Sequence, residues 1–142
     1  MILRRPVIAV IASLALVASF VSVGASAQAF DGSQPLLCAS VDTIGCGPGE
    51  GCAANTAEDL NVPRFLRIDF DKGLVRTSRS NTEERMTQIQ SVKRDENGLI
   101  LQGVEGGYGW SMVITQATGK MALSVAGDGA AFVVFGACTL LD

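Results

Sequence analysis

Trp110-Ser-Met-Val-Ile-Thr-Gln-Ala-Thr-Gly-Lys-Met-Ala-Leu-Ser-Val-Ala-Gly-Asp-Gly-Ala-Ala-Phe-Val-Val-Phe-Gly-Ala-Cys-Thr-Leu-Leu141 is the stretch whose reading decides the fold. Trp110, Met112 and Ile114 recur at every second position, Thr118-Gly119 supplies a turn, and Met121, Leu123 and Val125 repeat the pattern on the return. Successive side chains of a strand point to opposite faces, so this spacing predicts two antiparallel strands with one apolar face. Gly127-Asp128-Gly129 turns the chain again. Ala130 to Leu141 is apolar at both parities, which predicts a central strand buried on both sides. Gly136 in its middle marks a bend or bulge.

Similar punctuation runs upstream. Leu36 to Ile44 predicts the first strand. Arg64 to Asp71 places Leu66, Ile68 and Phe70 on one face and Arg67, Asp69 and Asp71 on the other, and Lys72-Gly73 turns it into Leu74 to Arg79. Arg85 to Arg94 is ambiguous: Met86, Ile89 and Val92 are spaced by three, and Ser80 with Glu83 has the form of a capping box, which allows a helix. A strand is preferred there, because Asp95-Glu96-Asn97-Gly98 is a hairpin signal that needs a strand on either side, with Leu99 to Glu105 as the second arm. Asn55-Thr56-Ala57-Glu58-Asp59-Leu60 predicts one short capped helical turn near residues 56–60, stopped before Pro63. About eight strands in up-and-down order, joined by short connections, predict an all-β antiparallel meander. The expected form is a small closed or partly closed barrel, with a two-layer sandwich or open sheet as the alternative.

Composition bounds the chemistry. The chain of 142 residues has room for one domain and contains no histidine. That absence excludes Ser-His and Cys-His nucleophiles, histidine-ligated zinc or haem, and an imidazole switch. Arg4 and Arg5, the apolar run Val7 to Val23, and the overlapping Ala25-Ser26-Ala27 and Ala27-Gln28-Ala29 have the form of a secretory signal. The expected organisation is a signal over residues 1–29, cleaved to leave Gln28 or Phe30, and a single β domain over 30–142; an uncleaved anchor is the alternative. This predicts a periplasmic or secreted protein with no membrane association after cleavage. Without Arg4 and Arg5 the chain keeps 9 basic against 14 acidic residues, which argues against a nucleic-acid partner.

Four cysteines in an exported chain read as two disulfides, with three pairings open. The favoured pairing is Cys46–Cys52, closing Gly47-Pro48-Gly49-Glu50-Gly51, with Cys38–Cys138 joining the first and last parts of the domain. The spacing of Cys38, Cys46 and Cys52 does not suit a zinc knuckle, and no metal or cofactor is expected.

Candidate sites are few. Asp69, Asp71 and Gly73 resemble the start of a calcium loop but lack its later ligands. Glu105 and Asp128 lie at turns, and Lys72, Arg76, Arg79 and Arg85 form a basic stretch expected on a solvated edge. Gly103-Val-Glu-Gly-Gly-Tyr-Gly109 joins strand to strand, so it reads as a wide hairpin loop and not as a phosphate cradle. It carries the chain's one Tyr, Tyr108, and runs into its one Trp, Trp110. Trp110 shares the parity of the core, and Tyr108 is expected at the core's open end.

The leading functional expectation is a non-enzymatic module that binds a partner such as an envelope protein through Gly106, Gly107, Tyr108 and Trp110. The alternative is a small barrel carrying an apolar ligand, which requires an interior cavity of ~300 Å³ or more. A carboxylate-only hydrolase comes third. Phe30-Asp-Gly-Ser-Gln-Pro-Leu-Leu-Cys38, Gly109-Trp110-Ser111, Thr118-Gly-Lys-Met121, Val125-Ala-Gly-Asp-Gly129 and Phe132-Val-Val-Phe-Gly-Ala-Cys138 together resemble a family of small exported proteobacterial proteins of unknown function. The likeness spans Phe30 to Cys138; it implies a secreted, cysteine-containing single domain and carries no catalytic residue.

Overall fold

Alternation sustained along most of the chain builds one antiparallel sheet. The structure, a computed structural model, describes residues 30–79 and 82–141; the expected signal segment, 1–29, and Ser80 of the capping-box pattern lie outside them. The strands are β1 (Leu36–Gly47), β2 (Gly51–Asn55), β3 (Phe65–Asp69), β4 (Leu74–Arg79), β5 (Thr82–Gln88), β6 (Ser91–Arg94), β7 (Gly98–Glu105), β8 (Tyr108–Thr115), β9 (Lys120–Gly127) and β10 (Ala130–Leu140). They run in the order β5-β4-β3-β1-β10-β9-β8-β7-β6, with β2 paired to β1 off this path. The architecture is a partly closed antiparallel barrel.

Three features correct the sequence reading. Among the described residues there are ten strands, not about eight. Gly51–Asn55 returns along β1 as a strand of its own, and Arg85 to Arg94 is divided between β5 and β6 by a break at Ile89-Gln90. The order is not simple up-and-down, because β1 lies between β10 and β3.

The third correction concerns residues 56–60, where no helix forms, nor anywhere else among the described residues. The helix-starting signal is nonetheless real: the Asp59 N–H donates to Thr56 Oγ1 at 3.1 Å and the Thr56 N–H donates to Asp59 Oδ2 at 3.2 Å, a reciprocal cap. The stop follows at once. Asn61 takes a left-handed φ of 57°, the Val62 N–H donates to the Ala57 carbonyl and the Asn61 N–H to the Glu58 carbonyl. That pair of bonds is a helix-ending motif. Start and stop signals overlap, and a turn is all that fits between them.

The interior is built from the expected parities. Leu36, Ile68, Leu99, Leu101, Met112 and Ile114 are fully buried. Only β10 departs: Val134 is fully buried, but Phe135 on the opposite face is 44% exposed. A barrel has one interior, so apolar residues at both parities leave one set outside, and none of the described residues covers Phe135 fully. Gly136 pairs with Ser40 where the register of β1 shifts between Ser40 and Asp42. A Cβ at Gly136 would run into the Ala39 carbonyl oxygen, so the bulge forms opposite a residue without a side chain.

Two disulfides lie in this frame. Cys38–Cys138 bridges the facing positions of β1 and β10, and Cys46–Cys52 bridges facing positions of β1 and β2.

Exposed carboxylates tie down local turns. Hydrogen bonds from the Thr56 hydroxyl and then its N–H hold the Asp59 carboxyl below its usual range, and the Lys72 N–H does the same for Asp69. Arg64 lowers Glu58, and Ser33 lowers Asp31. A carboxylate lowered in the fold contributes stability above its unfolded pKa and loses it as pH falls through the folded value. With no histidine and all four cysteines bonded, the chain has neither an imidazole nor a free thiol to titrate near neutrality. Urea midpoints are therefore expected to stay level from about pH 5 to about pH 8 and to fall below about pH 4. A step near about pH 6.5 would contradict this.

Candidate functional site

The site follows from how the barrel closes. After pairing with β4 as β5, the chain changes neighbours: the Ile89 N–H donates to the Gly73 carbonyl and the Gln90 N–H to the Gln102 carbonyl, each at 2.8 Å. From there it pairs with β7 as β6. The seam is thus closed by backbone around residues 88–91. Toward the other end of β5, side chains bridge it instead. Thr87 Oγ1 donates to the Val104 carbonyl at 3.3 Å, and Arg85 reaches Glu105.

At one end the barrel is plugged. Phe30 is buried, its N–H donates to the Gln116 carbonyl at 3.2 Å, and its ring lies close over Gly119. At the opposite end, between the bridged seam and the turn after β2, the interior opens as a cavity of about 290 Å³. Its deeper wall is apolar, with Leu66, Val75, Met112 and Leu123 buried. The turn of residues 57–61 and the two residues after it cross the opening, contributing Leu60, Val62 and Pro63.

Trp110 lies in this wall at 8% exposure, and its indole N–H donates to Thr87 Oγ1 at 3.3 Å. Tyr108, half-buried, lines the same cavity. The two residues expected on a recognition loop therefore contribute to an interior surface. The loop itself is tighter than expected: Gly106 and Gly107 form a two-residue hairpin turn between Glu105 and Tyr108, with φ of 58° and 87°. Left-handed φ at both central positions is what a primed hairpin turn requires, and glycine meets it without strain.

Arg85 and Glu105 are the charged residues of the lining among the described residues, and they are paired. Arg85 Nε and Nη2 donate to Glu105 Oε1 at 2.9 and 2.6 Å, while Nη1 donates to the Asn61 carbonyl at 3.4 Å. This guanidinium joins β5, β7 and the turn over the opening. Neither residue was marked by the sequence as part of a site: Arg85 was read as one cation of a basic edge and Glu105 as a turn acid. They lie 20 residues apart, and no local pattern links them.

The calcium-like Asp69 is engaged locally, accepting from the Lys72 N–H at 3.0 Å and pairing with Lys72 Nζ at 3.4 Å. Among the described residues no three His, Cys, Asp or Glu converge as metal ligands, and no helix is long and apolar enough to cross a membrane. No family model matches the chain, and no curated protein or solved structure is significantly similar to it. The resemblance to the exported proteobacterial family thus rests on the quoted residues alone; what the structure carries is a small cysteine-containing all-β domain.

Proposed function

We propose that the domain is a non-catalytic binding module that holds a small, largely apolar ligand in the barrel cavity. The observation that carries this reading is the cavity itself. At about 290 Å³ it stands at the lower edge of the range of ~300–1,000 Å³ typical of small-molecule sites, and it is apolar with a few polar groups at its mouth. Carriage by an interior cavity is favoured over docking through Gly106–Trp110. The turn offers two glycines with no side chains, and the Trp110 ring is committed to the interior.

Glu105 is the sole carboxylate in the lining among the described residues, and it is bonded to Arg85. Glycosidase-type chemistry uses two carboxylates across a cleft, so this arrangement supports binding over hydrolysis. Export through residues 1–29 would deliver such a carrier to the periplasm or beyond.

Trp110 is the only tryptophan in the chain and lines the cavity, so its emission reports occupancy directly. Titration with octanol, decanol and dodecanol is expected to shift and saturate that emission. Val125 also lines the cavity and is the β9 partner of Trp110. Val125→Phe fills that space and is expected to weaken binding about tenfold or more. Its melting temperature is expected to stay within a few degrees of the parent. Unchanged affinity in this variant, with the fold intact, would place binding elsewhere.

A further inference from the structure

We infer that the ligand is uncharged, and that Glu105 enforces this; the inference rests on the cavity reading and deepens it. An apolar pocket that takes a fatty acid or another anion needs a cation whose charge is not already balanced by a neighbouring carboxylate, because desolvating an unpaired carboxylate is costly. Arg85 is the only cation in the lining among the described residues; Glu105 balances its charge, and three of its five N–H donors are engaged. Two point at Glu105 Oε1 and a third at the Asn61 carbonyl. A ligand carboxylate at the mouth would meet Glu105 as closely as Arg85. It would either lie against a like charge or displace Glu105 into a half-buried position with no partner. A ligand ammonium would meet Arg85 in the same way.

The remaining polar groups are neutral and mostly matched to each other. Thr77 Oγ1 donates to the Arg85 carbonyl at 3.2 Å, and Thr87 Oγ1 both accepts from the Trp110 indole and donates to the Val104 carbonyl. Tyr108 is the exception: its hydroxyl has no hydrogen-bond partner among the described residues, and the residue lines the cavity. A phenol both donates and accepts, so it suits an alcohol, ketone or ester oxygen. The chemical class assigned is therefore a neutral hydrocarbon-rich molecule bearing at most an uncharged oxygen function. A volume near 290 Å³, about ten times the share of one water in the liquid, limits it to roughly the size of a medium-length alkanol.

Trp110 emission in the full mature domain distinguishes the outcomes. Octanol, decanol and dodecanol are compared at about pH 8 with the carboxylates of equal length, all below their micellar concentrations. The alcohols are expected to bind at least about tenfold more tightly than the carboxylates. Glu105→Gln frees the Arg85 guanidinium and is expected to erase or reverse that preference, mainly by strengthening carboxylate binding. The double variant Arg85→Gln with Glu105→Gln restores a neutral mouth and is expected to restore the preference for alcohols. That result excludes a general loosening of the fold as the cause.

If carboxylates bind the parent as tightly as alcohols, or if Glu105→Gln leaves the ratio unchanged, the charge argument is overturned while the cavity reading stands. If none of the six compounds perturbs Trp110, the cavity reading fails, and this inference with it.

Discussion

Replacing Cys38 and Cys138 together by alanine is expected to lower the unfolding free energy by about 4–5 kcal/mol, the loop-closure entropy of a span this long. The two half-cystines are separated by 100 residues, and each is buried. For a domain of this size the loss corresponds to a fall in melting temperature of roughly 15–25 °C. The same exchange at Cys46 and Cys52, separated by 6 residues, is expected to cost only about 2 kcal/mol.

Chain entropy is one reason for the difference, and position is the other. Cys38–Cys138 crosses the β1–β10 pair, the one junction that joins the β6–β10 meander to the β3–β5 meander through paired backbone in the middle of the sheet. Removing the bond leaves that junction to the ladder alone. Paired denaturant curves of the two double variants check the claim. Equal losses would mean that the ladder restrains the ends without help from the bond.

Gly103→Val is expected to be nearly as damaging, at about 3 kcal/mol, through overpacking at a point that cannot yield easily. Gly103 lies on β7 opposite Trp110 of β8. A Cβ there would overlap the Trp110 ring and crowd the Gln88 carbonyl oxygen across the seam. Relief requires either moving the indole off the cavity wall or opening the seam. The two escapes can be separated: a displaced indole shifts Trp110 emission toward that of solvated tryptophan, while an opened seam speeds amide exchange at Ile89 and Gln90. A variant that shows neither change and keeps its parent's stability would mean that the glycine is incidental.

Much of the fold was legible because alternation is a local property. Trp110, Met112 and Ile114 must share a face whatever else the chain does, and so must Leu66, Ile68 and Phe70; the barrel buries most of both sets. Turns were legible for the same reason, since Asp128-Gly129 adopts left-handed φ at both positions as a tight hairpin demands. What escaped was long-range. The favoured Cys38–Cys138 pairing joins the first and last strands, but nothing near Leu36 says that it will also pair with Ile68, so the place of β1 inside the sheet could not be read. The three-residue spacing of Met86, Ile89 and Val92 is a by-product of a strand that changes neighbours midway. Ile89 belongs to neither ladder, and the parity resets across it.

The site divides along the same line. Parity could place Trp110 in the core and Tyr108 at its open end. Leu60 and Val62 could not, because they reach the cavity through a turn that the sequence presents as the beginning of a helix. Arg85 and Glu105 meet across a seam whose existence depends on the closure of the barrel. The cavity is likewise a property of closure.

That seam has a further consequence, for self-association. The strands at the two ends of the sheet path, β5 and β6, are consecutive in the chain and are drawn together by the Ile89 and Gln90 bonds. A sheet that returns to its own beginning offers little unpaired backbone for a second molecule to extend. Besides the edge of β5, which side chains bridge to β7, two short pieces are left. One is the four residues of β6, which include Lys93 and Arg94; the other is the five residues of β2, tied down by the Cys46–Cys52 bond. Charge guards the first and a covalent staple the second, so the closure that encloses the cavity also leaves strand-templated aggregation little foothold.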